Sequence, residues 1–234
     1  MYLNNMFFDI NYLIFVVPAL ILAMWASANV RMTFNKYRKV ASARRMTGCD
    51  AARRILDANG LYNVKINRIS GDLTDHYDPR TNTVNLSESV YDDYSVAAIG
   101  VAAHESGHAV QHAVGYFPIR IRTAIIPATQ FASSLSMPLI ILGIILSYSV
   151  LAYLGCILFG VATLFQLVTL PVEFNASSRA LTSLENSGIL GSEEIKGSKK
   201  VLRAAALTYV AALAVSVAQL LRLLLLVGNG RNRR

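Results

Sequence analysis

The stretch His104-Glu105-Ser106-Gly107-His108 spells H-E-x-x-H, and it lies inside an apolar run of small residues from Val96 to Ala113. Residues at positions i and i+4 of a helix share one face, so both imidazoles can bind one metal ion. The glutamate between them would then lie beside the metal-activated water. The motif predicts a catalytic zinc site in which His104 and His108 are ligands and Glu105 is the general base.

The composition indicates an integral membrane protein. Of the 234 residues, 54% are hydrophobic and only 15% are charged, and the mean hydropathy is +0.42. An average soluble domain has about a quarter of its residues charged. The formal net charge is +8, but no aromatic-basic face or nucleic-acid-binding motif accompanies it, so we expect no nucleic-acid partner. The basic residues flank the apolar segments, as expected beside a lipid bilayer.

Four apolar segments are long enough, or nearly so, to span a bilayer, which takes roughly 20 residues. They are 10–28, 131–148, 151–170 and 204–227. Only two residues separate the second from the third, which predicts a tight helical hairpin. Pro171 predicts the end of the third segment and the first turn of a new helix. Gln219 and Arg222 in the last segment are costly in lipid, so we expect them to face protein.

The first apolar segment is predicted to be an uncleaved anchor, because basic residues follow it and none precedes it. This charge bias places the following region in the cytoplasm. The basic residues concerned are Arg31, Lys36, Arg38, Lys39, Arg44 and Arg45.

The polar portion is predicted to form a compact unit with a helix, a short sheet and the motif helix. Helical spacing covers 46–59, alternation predicts strands at 64–69 and 83–86, turn residues fill 75–80, and Ser95 begins the motif helix.

The predicted fold is mainly α with a small β-sheet, in a multi-pass helical protein of the plasma membrane. Its expected parts are an N-terminal anchor (1–29), a catalytic unit (30–123), a transmembrane hairpin (124–171), a third-ligand helix with linker (172–203), and a C-terminal apolar helix with a basic tail (204–234).

A catalytic zinc usually has three protein ligands, so one ligand must come from elsewhere in the chain. His112 lies one turn beyond His108 and is far along the helix axis for the same metal. Glu173 directly follows an apolar segment, an unusual position for an unpaired carboxylate. A glutamate from a second helix is the gluzincin arrangement. We therefore predict a gluzincin-like unit with Glu173 as third ligand and His112 as the alternative.

With these residues in view, the chain resembles the YugP-type membrane zinc metallopeptidases. The resemblance rests on 104–111 (HESGHAVQ), 172–177 (VEFNAS), 70–79, 46–48 and 206–212, and so covers nearly the whole chain. The layout is more distantly similar to HtpX-type and prenyl-protein (CAAX) proteases. In those families a hydrophobic hairpin separates H-E-x-x-H from a Glu-x-x-Ala-Asp motif that supplies the third ligand. The resemblance implies a zinc cofactor and hydrolysis of a protein or peptide substrate.

Two positions depart from the relatives' pattern. The distant relatives have Asp where this chain has Ser177, and the nearer ones often have Asp where it has Asn175. Such an Asp would orient a ligating histidine by a hydrogen bond. We expect either weaker metal binding or another group in this role. Asn175 and Ser177 are the candidate supporting residues.

Three residues are candidates, by type, for stabilising the transition state: His76, Tyr77 and Arg179. The stretch around His76 is equally typical of a hydrogen-bonded turn, and Arg179 equally suits an ion pair.

The main functional hypothesis is a membrane-anchored zinc endopeptidase with its site near the cytoplasmic membrane surface. An intramembrane protease of the site-2 type is an alternative, since the motif helix is itself apolar, but the Leu-Asp-Gly motif of that class is absent from the sequence. A non-catalytic zinc-binding membrane scaffold is the third hypothesis. Glu105 disfavours it, because a structural metal site needs no base.

Overall fold

The computed structural model describes residues 10–231 and confirms a mainly helical chain with one small sheet. A π-helical turn at Tyr12–Val16 leads into the first long helix. The helices are α1 (Val17–Arg38), α2 (Gly48–Ala58), α3 (Glu88–Tyr91), α4 (Val96–Ala113), α5 (Phe117–Ile145), α6 (Ser149–Asn186) and α7 (Ser192–Arg231), and the strands are β1 (Lys65–Ile69), β2 (His76–Asp78) and β3 (Thr83–Ser87).

The sheet has the order β1-β3-β2, with β1 parallel and β2 antiparallel to the central strand. The prediction that 75–80 is only a turn was wrong, because His76–Asp78 pairs with Thr83–Asn85. Three residues are too few for alternation to be detected. The turn itself follows the strand, where Asp78 Oδ1 accepts a hydrogen bond of 2.9 Å from the Arg80 backbone N–H.

The chain divides into two compact units, and the first contains the sheet and α4. This mixed unit comprises Ser27–Arg120 and Pro171–Leu207. Most of α4 is buried, as expected for a strongly apolar helix, and only Val101, His104, His112 and Ala113 keep appreciable exposure. Ser95 caps it by accepting a 3.2 Å hydrogen bond from Ala98 N–H, which confirms the predicted start.

Two hydrophobic clusters within the mixed unit surround α4. In one, Ala98 and Ala102 pack with α2 and β3; in the other, Ile99 and Ala103 pack with α2, α6 and α7. Their partners include Phe34, Leu56, Val84, Leu86, Ile55, Ala180, Leu184 and Leu202.

The apolar unit comprises the described residues 10–26, 121–170 and 208–231. It has a core of its own that includes Ile140, Cys156 and Leu223. The predicted hairpin is confirmed, and a Cβ added at Gly155 would lie only 2.6 Å from the Ser136 carbonyl oxygen.

Four helices of the described residues are candidate membrane spans. By length and composition, Tyr12–Arg38, Phe117–Ile145, Ser149–Asn186 and Ser192–Gly228 can each cross a bilayer. Arg222 is 6% exposed and its guanidinium lies 5.0 Å from the Tyr12 ring centroid, so it faces protein as predicted.

The prediction that Pro171 ends one helix and begins another was wrong. α6 continues through Pro171, and α5 continues through Pro127 and Pro138. Proline removes one backbone hydrogen bond from a helix. Neighbouring helices and side chains can satisfy the freed carbonyl in membrane proteins, so proline is tolerated there. The charged segment from Ser192 and the last apolar segment also form one continuous helix, α7.

Replacing the cap of α2 tests the local structure of the mixed unit. Thr47 Oγ1 accepts from Asp50 N–H at 3.1 Å, and Asp50 Oδ2 accepts from Thr47 N–H at 3.0 Å. Thr47→Ala should lower the free energy of unfolding by about 1 kcal/mol, which a lower thermal midpoint in detergent would report. Thr47→Ser keeps the hydroxyl and is the control. Equal midpoints for Thr47→Ala and the parent would contradict the capping role.

Candidate metal centre

The three predicted ligands converge between α4 and α6. His104 Nε2 lies 3.3 Å and His108 Nε2 lies 3.6 Å from Glu173 Oε2. One donor atom from each residue lies within 4.8 Å of the others. The two imidazole rings stand nearly perpendicular, at 82°, with centroids 4.7 Å apart. His112 is outside this group, and its ring lies 5.4 Å from that of Tyr77.

The donor set fits a zinc ion. Two imidazole nitrogens and one carboxylate oxygen are typical of catalytic zinc sites with three protein ligands. The site is also nearly closed to solvent, since Glu173 is 2% exposed and Glu105 and His108 are each 8% exposed. Buried carboxylates and imidazoles such as these require an opposite charge or hydrogen bonds to offset their lost hydration.

The local charge favours a cation. Burial alone disfavours a protonated His108, but the hydrogen bond to Glu173 and the charges of Glu105 and Glu173 outweigh it, so the pKa of His108 lies above its usual range. The same carboxylates that favour a proton on this imidazole would attract a metal ion.

The two helices that carry the candidate ligands, α4 and α6, approach each other unusually closely at Gly107. A Cβ added there would lie 2.7 Å from the Ala176 carbonyl oxygen of α6. A second close approach, between α4 and α7, occurs at Gly100, whose Cβ would lie 3.1 Å from Ser198 Oγ. The small residues Gly100 and Gly107 of α4 therefore serve close helix packing, and Gly107 lies between the two candidate histidine ligands in the sequence.

Each of the two candidate ligand imidazoles has a hydrogen-bond partner at its Nδ1 atom. Ser177 Oγ lies 3.2 Å from His104 Nδ1, and Gln111 Oε1 lies 3.0 Å from His108 Nδ1. Asn175 contacts Gln111 and Arg179 through its Oδ1 atom, at 2.9 Å and 2.8 Å. Ser177 thus supports a histidine directly, and Asn175 does so through Gln111.

Gln111 is a site residue that the sequence reasoning missed. It is fully buried and lies three residues after His108, on the same face of α4. A polar side chain at this spacing in an otherwise apolar, buried helix was the available signal.

The three candidate transition-state stabilisers are all hydrogen-bonded. His76 contacts Thr74 O through Nδ1 at 3.0 Å and Asn85 Nδ2 through Nε2 at 3.2 Å. Tyr77 donates its hydroxyl to Asn82 Oδ1 at 2.8 Å. These bonds organise β2 and its turn.

Arg179 takes part in a different set of contacts. It donates Nε–H to Asn175 Oδ1 at 2.8 Å, and its guanidinium lies 5.9 Å from the Tyr116 ring centroid. Among the three candidates, Arg179 is therefore the one that hydrogen bonds connect, through Asn175 and Gln111, to His108.

Asp75 is a further, partly buried carboxylate near the candidate base. It accepts hydrogen bonds from the Ser87 backbone N–H at 2.7 Å and from Ser87 Oγ at 2.9 Å. Burial raises the pKa of Asp75 above 3.8, the Ser87 hydrogen bonds oppose this, and the charge of Glu105 adds to it. The charges of Asp75 and Glu105 therefore interact.

Comparison with known proteins agrees with this geometry. Residues 12–228 match the family described as "Putative neutral zinc metallopeptidase". The chain belongs to this family. It is also 48% identical over 221 residues to "Putative membrane protease YugP" of Bacillus subtilis (strain 168), which covers 94% of this chain and 98% of that protein. The resemblance to YugP-type proteins is thereby confirmed. No solved structure matches the chain.

Adding one methyl group where α4 and α6 cross should disrupt the candidate metal centre. Gly107→Ala forces α4 away from Ala176, which should cost about 1–3 kcal/mol of stability and lower the zinc content. Thermal unfolding and metal analysis measure the two effects. Gly160→Ala is the matched control, because the nearest atom to its added Cβ is 4.0 Å away. Full stability and zinc content in Gly107→Ala would show that the crossing tolerates a side chain.

The pH dependence of stability should distinguish Asp75 from Asp78. Because the pKa of Asp75 is raised in the folded state, its contribution to stability is present below 3.8 and is lost as pH rises through the folded-state pKa. The thermal midpoint of Asp75→Asn should therefore rise relative to that of the parent as the pH increases from 3.8 towards neutrality.

Asp78 provides the matched comparison. The Arg80 backbone hydrogen bond lowers its pKa below 3.8, so its contribution is present above 3.8 and is lost as pH falls. The thermal midpoint of Asp78→Asn should show the opposite trend. Parallel pH profiles for the two variants would refute the assignment for Asp75.

Proposed function

We propose that this protein is a membrane-anchored, zinc-dependent endopeptidase. The observation that carries the proposal is the convergence of His104, His108 and Glu173, with Glu105 on the same helix as the two histidines. Membership of a family described as zinc metallopeptidases supports it, as does a relative named as a membrane protease. The substrate is an unfolded or extended polypeptide segment of a protein or peptide.

In this proposal three residues bind the metal and a fourth transfers a proton. His104 and His108 would hold zinc through Nε2, and Glu173 through its carboxylate. Zinc supplies Lewis acidity and lowers the pKa of a coordinated water from 15.7 to about 7. Glu105 accepts the proton of the attacking water and later donates it to the departing amine.

Arg179 is the best-supported of the three candidate transition-state stabilisers. A guanidinium has five N–H donors and no acceptor, so the bond from Nε–H to Asn175 leaves others for an oxyanion. Both ring nitrogens of His76 are engaged, and Tyr77 donates its only proton to Asn82. Oxyanion stabilisation requires donors aimed at the developing charge.

The distribution of charge supports a cytoplasmic site at the plasma membrane. The basic residues after the first apolar segment, from Arg31 to Arg45, belong to the mixed unit that carries the metal centre. Basic residues next to spanning segments concentrate on the cytoplasmic side. By contrast, residues 10–26, 121–170 and 208–231 of the apolar unit include no Asp or Glu.

The intramembrane alternative is less well supported. It was motivated by the apolar character of the H-E-x-x-H helix. α4 is not among the four candidate membrane helices found in the described residues. Its apolar side chains pack instead in the protein core of the mixed unit, against α2, α6 and α7.

Zinc content and cleavage of an unfolded protein by the detergent-purified chain test the proposal. The parent should contain one zinc per chain and cleave the substrate. Glu173→Ala should lose the zinc, because one of three ligands is removed. Glu105→Gln should keep the zinc and cleave about 10²–10⁴-fold more slowly, the usual contribution of a general base.

Glu185→Gln is the matched control, since Glu185 is an exposed carboxylate on the same helix as Glu173. It should retain both zinc and cleavage. Zinc retained in Glu173→Ala would reject this ligand set. A parent that binds zinc without cleaving any unfolded protein or peptide would instead support the non-catalytic scaffold.

A further inference from the structure

We propose that Gln111 is a positioning residue that determines which nitrogen of His108 carries the proton and ties the second ligand to the third. The inference rests on the proposed zinc site. It concerns a buried side chain that is not itself a ligand, and it follows from the donor and acceptor chemistry of four connected residues.

Hydrogen bonds connect Arg179, Asn175, Gln111 and His108 in that order, and Arg179 fixes which atoms donate and which accept. A guanidinium can only donate, so the Asn175 atom 2.8 Å from Arg179 Nε is the carbonyl oxygen. That oxygen also lies 2.9 Å from the Gln111 side chain, which must therefore present its amino group there. The orientation of the Gln111 amide follows from the orientation of the Asn175 amide.

A second, independent contact requires the same orientation. The Gln111 Nε2 atom also lies 2.8 Å from the backbone carbonyl oxygen of Val172, which accepts and cannot donate. Both acceptors would be left facing an oxygen if the Gln111 amide were reversed. Gln111 is 0% exposed, so no bulk water can compensate.

The tautomer of His108 follows directly. With Nε2 of Gln111 committed to two acceptors, Oε1 is the atom that lies 3.0 Å from His108 Nδ1. A carbonyl oxygen accepts, so Nδ1 carries the proton. The lone pair of the neutral imidazole is then on Nε2, the atom 3.6 Å from Glu173 Oε2. A metal ligand needs its lone pair at this atom.

His104 lacks an equally directional partner. Its Nδ1 atom lies 3.2 Å from Ser177 Oγ, and a hydroxyl can either donate or accept. Ser177 can therefore follow either tautomer of His104, whereas Gln111 permits only one tautomer of His108. The two contacts therefore differ: Gln111 fixes the tautomer of its histidine, and Ser177 does not.

Gln111 also connects the two ligand-bearing helices next to the ligands themselves. Its amino group contacts Val172, the residue before Glu173, and its carbonyl contacts His108, one turn away on α4. One buried amide thus links His108 to the backbone next to Glu173, although Gln111 and Val172 are 61 positions apart in the sequence.

Zinc affinity measured by chelator competition on the detergent-purified full chain tests this role. Loss of a group that orients a metal-ligating histidine typically costs about 10- to 100-fold in metal affinity. Gln111→Met has a similar length and no hydrogen-bonding amide, so its affinity should fall by that amount. Gln111→Asn is milder and is one methylene too short to keep all three contacts, so its affinity should lie between those of the parent and Gln111→Met.

The visible spectrum of the cobalt-substituted protein gives a second readout, independent of cleavage. It reports ligand geometry and should change in Gln111→Met. Ser198→Ala is the matched control, because Ser198 is also 0% exposed and its hydroxyl donates to the Val96 carbonyl at 2.7 Å, at the other end of α4. It should lower the thermal midpoint and leave the affinity and the spectrum unchanged.

Failure of this proposal and failure of the zinc site are distinguishable through His108→Ala. If His108→Ala binds zinc as tightly as the parent, the ligand set itself is wrong. If His108→Ala loses zinc while Gln111→Met and Gln111→Asn keep the parent's affinity and spectrum, only the role of Gln111 is overturned. Equal losses in Ser198→Ala and Gln111→Met would also overturn it, because buried hydrogen bonding in general would then explain the effect.

Discussion

The close crossing of α4 and α6 is the constraint on which the candidate site depends. Gly107 lies between His104 and His108 in the sequence, and no larger residue fits there without moving the Ala176 carbonyl. Helices usually pack with axes 8–10 Å apart, at distances set by the side chains in contact. A glycine at the contact lets the backbones approach closely, and this brings Glu173 Oε2 within 3.6 Å of both imidazoles.

Burial of the site makes its polar contacts consequential. Most of α4 packs in the mixed unit's core, so Glu105, His108 and Glu173 lie in surroundings where unpaired polar groups are costly. Neutral groups, Ser177 and Gln111, support the outer nitrogens of the two histidines. The negative charge around the candidate metal position thus comes mainly from Glu105 and Glu173, with Asp75 close enough to Glu105 for their charges to interact, which suits binding of a divalent cation.

Patterns with a short physical range were predicted well from the sequence. The H-E-x-x-H helix, its Ser95 cap and the helical hairpin all rest on spacing or on local hydrogen bonds. β2 was missed because three residues show no periodicity, and Pro171 was given too much weight because its surroundings decide whether a helix continues. Gln111 was not predicted as a site residue because two of its hydrogen-bond partners, Val172 and Asn175, come from a distant part of the chain.

By itself, the sequence determined the motif, the apolar segments and the chemical types available for a metal site, because these depend on neighbours within a few residues. It also singled out Glu173 as an unusual carboxylate after an apolar segment. Only the tertiary structure decided that this carboxylate meets the histidines, and that Gln111 joins His108 to Val172 and Asn175. Such contacts depend on how two helices cross, and no local pattern encodes the position of that crossing.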